Sequence, residues 1–92
     1  MDLEQLREEI SSTDLKILEL MKKRLELAKE VGLYKIENGK EVVDPSVEEK
    51  VVARYRKYAE ENGMNPDHAE GVCRILIKES VELQISLKDH SK

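Results

Sequence analysis

The chain contains no tryptophan and no phenylalanine, and only three tyrosines. A core built on large rings is excluded, and aliphatic side chains must do the packing. Its single cysteine, Cys73, excludes an internal disulfide and suits a reducing compartment, so a cytoplasmic protein is expected. With two prolines and four glycines, there are few points at which a helix must stop. No basic block or acidic tail concentrates the net charge of -4, so neither nucleic acid nor a membrane surface is expected as a partner. The opening Met1-Asp2-Leu3-Glu4 lacks the basic-then-apolar order of a secretory leader, and no apolar run approaches membrane-spanning length. No glycine-rich phosphate loop, nucleophile elbow or Cys/His cluster occurs, so no cofactor, no metal and no covalent mechanism is expected. His68 and His90 lack a metal-ligand spacing.

What the chain does have is charged and apolar residues, each at 39% of its 92 positions, in the Glu/Lys/Leu-rich mixture of long helices. An all-α fold is expected, as one domain over residues 1–92, short enough to gain stability from association. Apolar residues recur at three- and four-residue steps through Leu3, Leu6, Ile10, Ile17, Met21, Ala28 and Val31, which predicts one helix over about 2–38. Gly32 is the only glycine within it, and Asn38-Gly39 is its stop signal. Asp44-Pro45 reads as N-cap and first-turn proline of a second helix over 45–62, and Asn65-Pro66 repeats that start for a third over 66–88. The first helix would be roughly 53 Å long against about 27 and 34 Å for the others. Two short helices cannot cover it, so the expected architecture is a three-helix protomer in an intertwined antiparallel homodimer, its long helices burying each other's apolar stripes.

Placed around the first helix at about 100° per residue, most polar residues fall in one arc, yet Arg7, Arg24 and Lys35 fall on the apolar side. Glu48 sits within the apolar face of Val51, Val52, Tyr55, Tyr58 and Ala59 on the second helix. On the third, Ser80 and Gln84 lie inside the stripe of Ala69, Val72, Cys73, Leu76, Leu83 and Leu87. Buried charges are costly unless paired, wet or matched by a ligand. Arg24 and Lys35 are about three turns apart over the small residues Ala28 and Val31, spaced to grip a small anion. Arg7 is some 25 Å from Arg24 and could reach that anion only from the partner chain of an antiparallel dimer. Each position also has an ordinary explanation. Arg7 can pack its stem and solvate its head, Arg24 can pair with an acid across a seam, and Lys35 and Glu48 can complement helix dipoles. Cys73, on the buried stripe, reads as a core residue, and Asp14 finds no explanation.

In kind and order these residues resemble the AroQ-class chorismate mutases from Leu3 to Gln84. The likeness runs through Leu6-Arg7-Glu8-Glu9-Ile10, the stretch from Lys23 to Lys35, Val43-Asp44-Pro45 with Glu48 following, and Ile77 to Gln84. The resemblance implies an entwined dimer with two sites that convert chorismate to prephenate, an isomerase step of aromatic amino acid biosynthesis. It implies that Arg24 and the partner's Arg7 bind the substrate's two carboxylates with help from Ser80. Lys35 and Gln84 would face the ether oxygen, and the Asp44 backbone and Glu48 carboxylate would receive the ring hydroxyl. Arg24, Lys35 and Gln84 would thus be the catalytic residues. One departure stands out, because the position before Glu48, commonly arginine in the family, is Val47 here. Lys50, about 60° away around the helix, is the nearest replacement. Isochorismate pyruvate lyase, which shares the fold, and a noncatalytic helical dimerisation module are the alternatives. No fused dehydratase, dehydrogenase or synthase domain is expected within the 92 residues.

Overall fold

The computed structural model describes residues 1–90 as three helices: α1 (Leu3–Glu37), α2 (Pro45–Glu61) and α3 (Pro66–His90). Among the described residues there is no strand. The Asp2 carboxylate accepts from the Gln5 amide at 2.8 Å while the Gln5 side chain accepts from the Asp2 N–H at 2.9 Å, a reciprocal cap that starts α1. Asp44 caps α2, with Pro45 in its first turn. The Asn65 side chain accepts from Asp67 N at 2.9 Å to open α3. The α1 and α2 stops share one design. Asn38 and Asn62 each bond a carbonyl four residues back, and the following Gly39 and Gly63 take the left-handed φ values of 62° and 69° that side chains disfavour.

Helix α3 packs against both α1 and α2, which make no close backbone approach to each other. The buried set is small and made of small residues: Ala28 and Gly32 from α1, Val42 from the connector, Val52 and Ala59 from α2, and Cys73 and Gln84 from α3. Cys73 is fully buried, and burial raises its thiol pKa, as befits a core residue. The outer edge of the α2–α3 contact is tied by ion pairs. Arg56 reaches Asp67 at 3.0 Å and Glu70 at 2.9 Å, and Arg74 reaches Glu70 at 2.8 Å and Glu49 at 3.6 Å.

The apolar stripe of α1 is where the chain alone departs from the expected burial. Every residue from Met1 to Leu20 is exposed, about 27 Å of helix without a neighbour, and Leu3, Ile10 and Leu20 each keep more than half of their surface in water. Leu3, Leu6, Ile10, Ile17 and Leu20 nevertheless occupy the seam of a heptad repeat. Tyr58 and Val72, expected in the buried stripes of α2 and α3, are exposed as well. The molecule measures 56 × 25 × 14 Å, with a radius of gyration of 16.5 Å against about 12 Å for a compact domain of this length.

Candidate active site

Where the C-terminal half of α1 meets α3 and the start of α2, a cleft of about 290 Å³ opens. Its walls are aliphatic, from Leu27, Val31, Val42, Val51, Ile77 and Val81. Its polar groups are Arg24, Lys35, Asp44, Glu48, Ser80 and Gln84, so the fold brings together in one chain every site residue expected from the sequence except Arg7. Arg7 lies on the uncovered half of α1, away from this cleft.

Helix α3 holds Arg24. One guanidinium nitrogen, Nη1, donates to the Leu76 carbonyl at 2.9 Å and to the Ser80 hydroxyl at 2.6 Å. Both Nη1 protons are thereby used, and the Nε–Nη2 edge keeps the fork that suits a carboxylate. The Ser80 hydroxyl in turn donates to the Leu76 carbonyl at 3.0 Å, so in this arrangement it orients Arg24 and has no proton left for a ligand. Lys35, half-buried near the end of α1, donates to the Val42 carbonyl at 2.8 Å and pins the connector. An ammonium has three protons, so two remain. Among the described residues neither Arg24 nor Lys35 forms an ion pair with an acid, which removes the seam-pairing explanation of Arg24 within the chain.

Between the two cations lies Gln84, 5% exposed, whose amide nitrogen donates to the Ala28 carbonyl at 2.8 Å. Its second N–H is left for a ligand. Asp44 has a carboxyl held below the ordinary carboxylate range, first by the Ser46 hydroxyl, then by the Val47 N–H, and to a smaller degree by the Lys35 charge. That carboxylate is occupied with the helix cap, and Glu48 lines the cleft half-buried one turn further on. Val47 also lines the cleft, so the position of the family's usual arginine faces the site with an apolar side chain, and Lys50 does not line the cleft.

Helical periodicity exposed Arg24, Lys35, Glu48, Ser80 and Gln84 because they break apolar arcs. It could not expose their anchors, the carbonyls of Ala28, Val42 and Leu76, since every residue carries one. A second cleft, about 640 Å³, lies between α2 and α3 beside Tyr55, Tyr58, Met64, His68 and Val72, with no comparable convergence of charges. No group of three His, Cys, Asp or Glu side chains among the described residues could hold a metal ion. Among the described residues no helix is long and apolar enough to cross a membrane. Nothing in the structure explains Asp14.

The fold and site together define an all-helical protein whose cleft has aliphatic walls and holds two cations that form no ion pair with an acid among the described residues, with a neutral amide donor between them. The chain belongs to the chorismate mutase type II family, which it matches over residues 6–85. It is 42% identical over 79 residues to the T-protein of Enterobacter agglomerans and 37% identical over 78 residues to that of Haemophilus influenzae. These alignments take in 86% and 85% of the chain but only 21% of either T-protein, so it spans about a fifth of their length. To the chorismate mutase of Methanocaldococcus jannaschii it is 33% identical over 82 residues, 89% of the chain and 83% of that protein.

Proposed function

We propose that the protein is a chorismate mutase that rearranges chorismate to prephenate in the cytoplasm as an intertwined homodimer. The observation that carries the reaction is the pair of half-buried cations, Arg24 and Lys35, which form no ion pair with an acid among the described residues and stand around a buried amide. The reaction breaks one C–O bond as a C–C bond forms, and requires no acid, base or nucleophile. What it demands is that the enolpyruvyl group be folded over the ring and that negative charge growing on the ether oxygen be met by fixed donors. The free edge of Arg24 would clamp one carboxylate. The remaining protons of Lys35 and the second N–H of Gln84 would meet the ether oxygen. Glu48 and the backbone at Asp44 would take the ring hydroxyl.

The seam on α1 supports the dimer reading. Leu3, Leu6, Ile10, Ile17 and Leu20, interrupted only at Thr13, keep the same spacing into Arg24, Leu27 and Val31, so the exposed stripe runs to the mouth of the cleft. A second α1 laid antiparallel on this stripe would cover both uncovered halves. It would also carry the partner's Arg7 toward the cleft, where a second carboxylate needs a cation.

The test is the loss of chorismate's diene absorbance with the purified protein, the product being identified, and with Arg24→Ala alongside. Prephenate made by the wild type and lost in the variant is the expected result. Release of pyruvate from isochorismate instead would assign the lyase reaction, and an intact dimer inert toward both would assign a noncatalytic module.

A further inference from the structure

We propose that Gly32 is a positioning residue for catalysis, its missing side chain setting where the Gln84 amide stands; the inference rests on the mutase reading above. Gly39 and Gly63 are explained by their left-handed backbone, and a Cβ at Gly71 would meet nothing within 4 Å. Gly32 is different. It sits inside α1, where glycine weakens a helix relative to alanine, and its φ is not in the region reserved for glycine. What it provides is close approach of α3. A Cβ at this position would stand 2.8 Å from Gln84 Cγ, 3.3 Å from Leu87 Cδ1 and 3.4 Å from Gln84 Cβ.

The first of these distances is about 0.6 Å short of ordinary contact, which begins at 3.4 Å. Gln84 has little freedom to yield. Its Cβ is fixed to the α3 backbone, its side chain is buried, and its amide nitrogen is bonded to the Ala28 carbonyl one turn before Gly32. A methyl group at position 32 therefore displaces Cγ and swings the amide, and with it the N–H left for the substrate. The neighbouring cations are anchored elsewhere, Arg24 to Leu76 and Ser80 and Lys35 to Val42, so substrate binding is left in place.

The experiment is a double-mutant cycle with Gly32→Ala and Gln84→Ala, reading kcat and KM separately for chorismate. Gly32→Ala is expected to lower kcat about tenfold to a hundredfold, the usual effect of a displacement of this order, with KM changed less than about threefold. In the Gln84→Ala background, where Cγ is gone, adding Gly32→Ala should change kcat less than about twofold. Equal losses in both backgrounds, or a folded Gly32→Ala enzyme with wild-type kcat, would overturn the role of Gly32. If Gly32→Ala alone does not fold, Gly32→Ala with Leu87→Ala opens room beside the new methyl and keeps Gln84. That pair should show the kcat loss, and wild-type kcat in it would likewise overturn the role. A wild-type protein that makes no prephenate removes the mutase reading itself, an outcome separate from any behaviour of Gly32.

Discussion

At the scale of single residues, the site divides its cations by what already holds them. Lys35 keeps two protons after bonding Val42, and in the proposed mutase these would face the ether oxygen. Lys35→Ala is expected to lower kcat by two to three orders of magnitude, the usual cost of losing one preorganised donor; unchanged turnover in steady-state assays would remove that role. Ser80 has its proton on Leu76 and its oxygen on Arg24. Ser80→Ala should therefore raise KM more than it lowers kcat, because it loosens a carboxylate clamp and leaves the ether-oxygen donors in place. Gln84 carries no titrating group, so kcat should stay flat from mild acid to neutrality, and a steep loss of rate across that range would contradict its part. Arg24, Lys35, Glu48, Ser80 and Gln84 were legible in the sequence because a polar side chain on an apolar arc has a cost that only a partner or ligand offsets. Their backbone anchors, the glycine that admits Gln84, and the engagement of Ser80 with Arg24 depend on how two distant helices meet, which no local pattern encodes.

At the scale of elements, the helices were legible almost to the residue, since Asp44-Pro45, Asn65-Pro66, Asn38-Gly39 and Asn62-Gly63 each impose their own stop or start. The third helix runs on through His90, where charged residues give no stop signal of their own. The α2 cap also serves the site, because Asp44 both starts the helix and lines the cleft. Its carboxyl is held low by Ser46 and Val47, and that of Glu70 by Arg74 and then Arg56. A depressed folded-state pKa contributes stability that is fully present above the unfolded value near ~4 and is lost as the pH falls through the folded value. Thermal melts should therefore show the midpoint dropping below the ordinary carboxylate range. Asp44→Asn, which keeps a capping oxygen but cannot titrate, should make that drop shallower. An identical acid limb in both proteins would show that the cap does not report on pH.

At the scale of the whole molecule, the sequence showed a helix too long for its neighbours, and the isolated chain leaves the first half of that helix uncovered. An apolar periodicity names the face to be buried but not what buries it, so the stripe of α1 could be read and its cover could only be inferred. If a partner supplies both that cover and Arg7, two inactive chains can repair each other. Mixing unfolded Arg7→Ala and Lys35→Ala chains and refolding them together should return about a quarter of wild-type activity, because half the dimers are mixed and each has one intact site. Activity no greater than the sum of the two separate variants would show that Arg7 serves its own chain or none.

The uncovered seam has a further consequence. Where a surface meets its own copy across a two-fold axis, an inherited change never arrives once. If a second copy of the chain covers the seam, a substitution at Ile10 is met again on the other side, so a gain or a loss of fit is felt in duplicate, and a cell carrying two unlike alleles would build three kinds of assembly from two kinds of chain.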